Sequence, residues 1–494
     1  MRFRPKEFRD AFLAHLDRAP DAAALHWQGR DTSYSQLYEL SRRARIRLDE
    51  LDLGPDEPVG VLGQKSPTAV ALVLACLLAQ RRFLLPSPAL GEHPLALLFA
   101  QAGCRHVLVP EGEPAYTVPA DEVFPPVLRV VEDNDVLFML TTSGSTGLPK
   151  TVPLSQSGVD RFIAWAGAAF EIGPGRTVLN YAPLNFDLCL LDVWTTLAHG
   201  GRVLLVDPDQ AVNGRHLLDL LAQHEVHVVQ AVPMLFGVLA DAADGRRLDA
   251  VRHVMFTGDV LPDKTLARLP ELFPAARVYN IYGCTETNDS FVHEVDPRQG
   301  SPVPIGRPLP GVHTMIVDED GAVIDGPGTG ELHVSTPFQT AGYLDKARNS
   351  DKFATRDGRR WFRTGDLVRV EPDGRTFLVG RNDFQVKVRG VAVNTAEVER
   401  VLLAHPDVVE AAVAAQPDPV AGRRLVSVVR RTAASGLNSL GLLEHCVRRL
   451  PRAAVPSTLQ IVDHPLPRTA TGKVDRAAVA LFRESPTVTG RRKP

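Results

Sequence analysis

Apolar, strand-like runs alternate with helical patterns through most of the chain, and this alternation constrains the architecture more than any other feature. Val59 to Leu62 precedes the helical pattern Thr68 to Ala79, Val203 to Val206 precedes Gly214 to Ala222, and Val226 to Val232 precedes Met234 to Ala242. Repeating strand–helix units of this kind favour an α/β architecture with largely parallel sheets. Most of the runs are apolar at nearly every position, as strands covered on both faces require. At 494 residues the chain is too long for one core, so two or three domains are expected.

The pattern changes after about Gly311. Short strands at Thr314 to Val317, Glu331 to Val334, Leu367 to Val370 and Thr376 to Val379 are divided by Asp-Gly pairs at 320–321, 325–326 and 373–374. Asp-Gly supplies the positive φ of tight hairpins, which predicts an antiparallel β subdomain over about 311–381. From about Phe384 the chain reads as strand, helix (Thr395 to Leu403), strand (Val408 to Ala415), strand, helix (Leu437 to Leu450) and strand. The expected division is an N-terminal core over 1–381, a small α+β domain over 384–484 and a flexible tail over 485–494.

Composition excludes several classes. Net charge is 55 − 58 = −3, which gives no electrostatic case for nucleic acid. The five cysteines are scattered, odd in number and never in a Cys-x-x-Cys pair, which argues against a disulfide framework or zinc site and suits a reducing cytosol. Met1 to Pro20 is charged and amphipathic, with Phe8, Phe12, Leu13 and Leu16 at helical spacing and no apolar core suited to a signal peptide. The longest apolar run, Ala69 to Ala79, is too short to span a bilayer. A soluble cytoplasmic protein with no membrane partner is expected.

The densest chemical signal follows the apolar run Val136 to Leu140. Ser143 to Lys150 holds three hydroxyls (Ser143, Ser145, Thr146), two glycines (Gly144, Gly147) and Lys150 in eight positions, with Thr142 just before. Such a loop offers backbone N–H groups, hydroxyls and one cation to a polyphosphate. It is not a Walker A loop, which has Gly immediately before Lys where Pro149 stands here. Downstream, Asn280-Ile-Tyr-Gly-Cys-Thr-Glu-Thr287 offers an aromatic face at Tyr282, a hydroxyl at Thr285 and a hard oxygen ligand for Mg²⁺ at Glu286. Trp361 to Leu367 contains Asp366, able to accept both hydroxyls of a ribose; Gly380 to Gly390 contains Arg381; and Pro467 to Arg476 is a loop presenting Lys473.

In this order and spacing, from about Thr32 to Arg476, these motifs resemble the adenylate-forming enzymes: acyl- and aryl-CoA synthetases, luciferases and the adenylation domains of nonribosomal peptide synthetases. The resemblance implies a large N-terminal domain of two packed α/β sheets plus a β subdomain, followed by a mobile C-terminal lid. It also implies that a carboxylate attacks the α-phosphorus of ATP, with ATP and Mg²⁺ required. Lys473 would bridge the substrate carboxylate and the α-phosphate. Thr142 to Lys150 would hold the departing phosphates, and Glu286 would place Mg²⁺. Asp366 and Arg381 would hold the ribose, while Asn280, Tyr282, Gly283 and Thr285 would lie around the nucleotide. The lid would rotate about Asp383 so that a thiol can displace AMP.

The acid activated is read from Asn185-Phe-Asp-Leu-Cys-Leu-Leu-Asp-Val-Trp194. In members that activate amino acids, an aspartate at the position matched by Asp187 pairs with the substrate ammonium, a role with a physical basis because a partly buried carboxylate needs a cation. The other reading of Asp187 is an N-cap for a helix over Leu188 to Leu197. Specificity positions match Leu188, Leu191, Gln230, Met255, Thr257, Ile281, Asp289 and Ser290. Their aliphatic members would form the walls. Gln230, Asp289 and Ser290 favour a side chain with hydrogen-bonding capacity or a displaced amino group, leaving α-, imino and β-amino acids open.

Gly436 to Leu440 superficially resembles a carrier protein's phosphopantetheine site, yet it leaves no room for a carrier domain, so Ser439 is expected at a helix start. The chain thus resembles a free-standing adenylation enzyme serving a separate carrier protein with a phosphopantetheine arm, as in natural-product or antibiotic biosynthesis. Cys284, Ala341, Ala392 and Asn394 depart from the residues usual at their positions, and Leu77 to Pro86 departs from the usual small-residue motif. Ala392 and Asn394 lie where the thiol partner would meet the lid. An acyl-CoA synthetase for a small carboxylic acid is the nearest alternative; a non-catalytic scaffold is disfavoured by the presence of Lys473, Glu286, Asp366 and Arg381.

Overall fold

The computed structural model describes residues 7–113, 115–116, 118, 135–142, 149–298, 300, 302–381, 385–388, 391–418, 422–433, 435–450, 454–469 and 474–481. The chain packs into two compact units. One comprises residues 1–315, 333–363 and 375–377, the other 316–332, 364–374 and 378–494.

The first unit is built on two sheets. Among the described residues, nine strands form the larger one, in the spatial order Arg307–Pro308, Asn288–Val295, Arg277–Cys284, His253–Thr257, Val228–Ala231, Thr177–Asn180, Arg202–Leu205, Ala23–Trp27 and Arg30–Ser33. The six strands from Ala23–Trp27 to Arg277–Cys284 run parallel, and antiparallel strands close both edges. One face is sealed by helices Gly214–Gln223 and Pro233–Ala242, whose Leu217, Leu221, Leu235 and Leu239 pack on Leu179, Val229, Val254 and Val278. The alternate residues Asn180, Gln230, Met255 and Tyr279 therefore emerge on the other face. That face is where Gln230, an expected specificity position, falls.

The smaller sheet has Val107–Leu108, Val59–Val61, Phe83–Leu84, Val136–Thr142 and Lys150–Ser155 in spatial order, the last pair antiparallel. Helix Pro67–Leu78 is buried along nearly its whole length, and Ser66 caps it by accepting the Ala69 N–H at 3.2 Å. Helix Tyr34–Asp49 opens with a reciprocal Ser33–Gln36 capping box. The expected N-terminal helix runs from Phe8 to Arg18 with Phe8 and Phe12 buried.

The second unit contains helices Thr395–Leu403, Ser439–Val447 and Arg476–Ala480, and a three-stranded sheet of Val408–Asp418, Gly422–Arg431 and Thr458–Val462. Its core joins Val398 and Leu402 to Val413, Leu425, Val429, Leu442 and Cys446. Glu399 is buried and fixed by Arg476, at 3.0 and 2.5 Å, and by the Val413 N–H at 2.8 Å. Ser439 begins its helix as expected, although the helix ends at Val447 rather than Leu450, and Asn438 is the cap. Asn394 caps Thr395–Leu403 by accepting the Ala396 N–H at 2.9 Å, a local reason for an asparagine there.

Other boundaries shift modestly. The strand expected over Val136 to Leu140 continues to Thr142, and that over Glu331 to Val334 extends across Gly328–Ser335. The helix expected over Leu188 to Leu197 is corrected: a π-helix occupies Leu190–Thr195, followed by one short α-turn over Thr196–Ala198. Thr195 Oγ1 donates to the Leu190 carbonyl at 2.7 Å and Thr196 Oγ1 to the Leu191 carbonyl at 3.4 Å, side-chain donors for carbonyls in a widened turn.

Candidate active site

Thr142 and Lys150 are partners at the open end of the antiparallel pair Val136–Thr142 and Lys150–Ser155, so the two strands bring together the ends of the expected phosphate loop. Ser143, Gly144, Ser145, Thr146 and Gly147 lie outside the described residues, as do Asp383 and Lys473.

The second motif forms a hairpin. Strands Arg277–Cys284 and Asn288–Val295 pair antiparallel, and Thr285, Glu286 and Thr287 make its tip. Asn288 adopts φ 54° and closes the turn. Gly283 is required on steric grounds, because a Cβ there would meet the Asn288 carbonyl oxygen at 2.3 Å. Asn280 donates to the Pro304 carbonyl at 2.9 Å, and Tyr282 packs edge-on against Phe291 with ring centroids 5.6 Å apart.

Tyr343 joins this tip to Lys150. Its hydroxyl donates to Glu286 Oε1 at 2.5 Å, and the Lys150 ammonium sits 5.0 Å from its ring centroid. Burial, and then the Glu286 charge, push the Tyr343 pKa well above the usual phenol value, so the hydroxyl keeps its proton and remains a donor. The Thr340 N–H holds the Glu286 backbone carbonyl at 2.9 Å. Lys150 and Glu286 are thereby brought to one buried phenol, with Thr142 the strand partner of Lys150. Sequence reasoning singled out no role for Tyr343.

Asp187 meets the same tip from another direction: Thr285 Oγ1 donates to Asp187 Oδ2 at 2.7 Å. Asp187 stands two residues before Cys189, which precedes the π-helix, and its Oδ2 is turned to Thr285 while its backbone carbonyl accepts the Leu190 N–H at 2.9 Å. Met255, Thr257 and Ile281 lie on adjacent parallel strands, with Thr257 paired to Ile281 and Gln230 to Met255. All four are buried, as is Leu191 in the π-helix, while Leu188 is half-buried. Asp289 pairs with Gly283, and Ser290 Oγ lies 3.2 Å from both Thr287 Oγ1 and the Asn288 carbonyl.

A polar group the sequence reading missed lies beside these residues. Lys65 is buried and donates to the carbonyls of Asn180 at 3.2 Å and Tyr181 at 2.9 Å. Asp192, in the π-helix, is fully buried and accepts from Asn180 Nδ2 at 3.4 Å. Burial lowers the Lys65 pKa to about 8 and raises that of Asp192, each opposed by the other's charge. Burial also raises Asp289 to about 8, reinforced by the like charge of Asp187. The available signal was a carboxylate inside the otherwise apolar run Leu190 to Trp194.

In the second unit, Asp366 is buried and accepts from Arg381 Nη1 at 2.9 Å. The Asp366 N–H is held by Thr364 Oγ1 at 3.0 Å, and that hydroxyl donates onward to the Leu332 carbonyl at 2.7 Å. The expected pair is thus together.

Among the described residues no group of three or more His, Cys, Asp or Glu side chains could hold a metal ion. Mg²⁺ needs no such cage where substrate phosphates and water supply most ligands, and one oriented carboxylate such as Glu286 fits that coordination. No helix among the described residues is long and apolar enough to cross a membrane.

Comparison with known proteins places the chain in a family. Residues 12–344 match the AMP-binding enzyme family, and residues 397–473 match the AMP-binding enzyme C-terminal domain. The chain belongs to the AMP-binding enzymes, ligases that use ATP. An L-proline--[L-prolyl-carrier protein] ligase of Pseudomonas fluorescens is 36% identical over 71% of this chain and 69% of its own length. The protein of the same name from Streptomyces coelicolor is 37% identical over 72% and 68%. The o-succinylbenzoate CoA synthetase of Bacillus subtilis, solved with its acyl-adenylate intermediate, superposes with a TM-score of 0.82 over 97% of this chain and 99% of its own, at 22% identity, a likeness of fold.

Proposed function

We propose that the enzyme activates an amino acid with ATP and Mg²⁺ as an aminoacyl-adenylate, then passes it to the phosphopantetheine thiol of a separate carrier protein. In the first step a carboxylate oxygen bonds to the α-phosphorus and pyrophosphate leaves. In the second the thiolate bonds to the acyl carbon and AMP leaves. The observation that carries the reading is the Asp187–Thr285 hydrogen bond of 2.7 Å. It fixes a carboxylate suited to a substrate ammonium on the same hairpin tip as Glu286. The two carrier-protein ligases, similar along two thirds or more of their length, support the same acceptor.

Within this reading Glu286 holds Mg²⁺, which neutralises phosphate charge when bound. Lys150 and the preceding loop receive the β- and γ-phosphates, Asp366 and Arg381 the ribose, and Lys473 the developing charge between carboxylate and α-phosphate. The segment from about 384 acts as the lid, with Asp383 as hinge.

The test is pyrophosphate exchange into ATP across proteinogenic, imino and β-amino acids, with aryl and fatty acids alongside. Dependence on an amino acid, lost on Lys473→Ala with the thermal melt unchanged, is expected. Exchange driven only by acids without an amine, with thioester formed on coenzyme A, would move the enzyme to the CoA-ligase branch.

A further inference from the structure

The neighbourhood of the proposed substrate site presents four buried acceptor oxygens with no hydrogen-bond partner, alongside one unpartnered donor, Asn288 Nδ2. Asn180 and Gln230 are register partners on neighbouring parallel strands, so their side chains leave the same face of the sheet. They are 0% and 1% exposed, and Asn180 Oδ1 and Gln230 Oε1 have no hydrogen-bond partner. Asp192 reaches Asn180 from the π-helix; its Oδ2 takes the Asn180 amide, while Oδ1 is buried and unpartnered. On the hairpin, Asp289 is half-exposed as a residue, yet its Oδ2 is shut off from solvent and also unpartnered.

Four unmet acceptors in one region run against the near-complete pairing of folded interiors. Whichever way the Gln230 amide is turned, both carboxyl groups keep acceptor oxygens, and a cation beside Asp289 would draw its carboxyl back to the charged form. Lys65 gives Asp192 a compensating charge. The charged neighbour felt by Asp289 is instead Asp187, of the same sign. One carboxylate suffices for the α-ammonium of an amino acid, and Asp187 fills that role in the reading above. Asp289 and the oxygens behind it are surplus to that task, and their chemistry calls for a second donor-rich cation.

We propose that the amino acid activated here carries a second basic nitrogen, received by Asp289 and the acceptor oxygens beside it. The substrate class is therefore a diamino acid, with Asp187 reading one amine and Asp289 the other. This inference rests on the amino-acid reading of the site. Asp289 then acts as the residue that determines specificity.

The experiment is pyrophosphate exchange with 2,3-diaminopropionate, 2,4-diaminobutyrate, ornithine and lysine, set against alanine, 2-aminobutyrate, norvaline, norleucine and proline. One basic amino acid should exceed its neutral isostere in kcat/KM by about a hundredfold, the scale set by close charge pairing in a buried site. Asp289→Asn should collapse that preference, and Asp289→Leu should turn it toward the neutral isostere. A binding readout separates recognition from folding and chemistry: the preferred diamino acid should raise the melting temperature of the wild type but not of Asp289→Asn. Preference for proline or another neutral amino acid overturns the inference and leaves amino-acid activation standing. An unchanged preference in Asp289→Asn overturns the role of Asp289. Exchange only with acids lacking an amine overturns the underlying reading as well.

Discussion

Replacing Tyr343 by Phe isolates one hydrogen bond at the centre of the site. The ring remains beneath Lys150, 5.0 Å from its ammonium, so packing and the cation–π contact are retained. What disappears is the donor 2.5 Å from Glu286 Oε1, on a carboxylate only 8% exposed. A hydrogen bond to a charged group contributes about 1.5–3 kcal/mol. If that energy holds Glu286 in its metal-binding orientation, the Mg²⁺ concentration giving half-maximal exchange should rise by about 10- to 150-fold, at about 1.4 kcal/mol per tenfold. The assay is a Mg²⁺ titration of pyrophosphate exchange at saturating amino acid, with kcat largely recovered at high Mg²⁺. The melting temperature should fall by a few degrees, at roughly 2–4 °C per kcal/mol for a domain-sized unit. A normal Mg²⁺ requirement alongside a lowered melt would refute the argument, because the bond would then serve folding alone.

Arg381→Ala removes the donor 2.9 Å from Asp366 and should raise the KM for ATP about tenfold with a smaller change in kcat, as loss of uniform nucleotide binding does; an unchanged KM would detach the pair from the nucleotide. Asp289 has a pKa of 3.8 when unperturbed and about 8 when folded. Its protonated form therefore stabilises the fold fully below the lower value, and that contribution is lost as pH rises through the higher one. The slope is at most about 1.4 kcal/mol per pH unit. Asp187, Asp192 and Lys65 share the neighbourhood, so the measure is the difference between wild type and Asp289→Asn in urea midpoint, which should move in favour of the variant between pH 5 and pH 8. A difference independent of pH would show that Asp289 titrates normally.

The sequence made the strand–helix alternation legible because runs such as Val226 to Val232 are apolar at nearly every position. The hairpin tip was legible too: Gly283, Thr285 and Glu286 are adjacent in the chain and act from one turn. Tyr343 was opaque because its partners, Lys150 and Glu286, are distant in sequence and meet only through the fold. The cluster of Lys65, Asn180 and Asp192 escaped for the same reason, since a charged residue in sequence reads as surface until its partner is known. The π-helix escaped because its apolar pattern matches that of an α-helix, and the widened turn is apparent only in the hydrogen bonds.

That widened turn gives the segment proposed to set specificity a fixed length. A π-turn accommodates one residue more than an α-turn, and a one-residue change rotates everything beyond it by about 100° around the helix axis. Leu190–Thr195 separates Asp187 from the helix that follows, and it holds both Leu191 and Asp192. Under the proposed function, substitutions within the segment would retune one wall position at a time, whereas a single deletion would reassign all of them together. Divergence of substrate choice along this lineage should proceed by replacement at constant length, and a specificity graft between relatives must carry the whole turn.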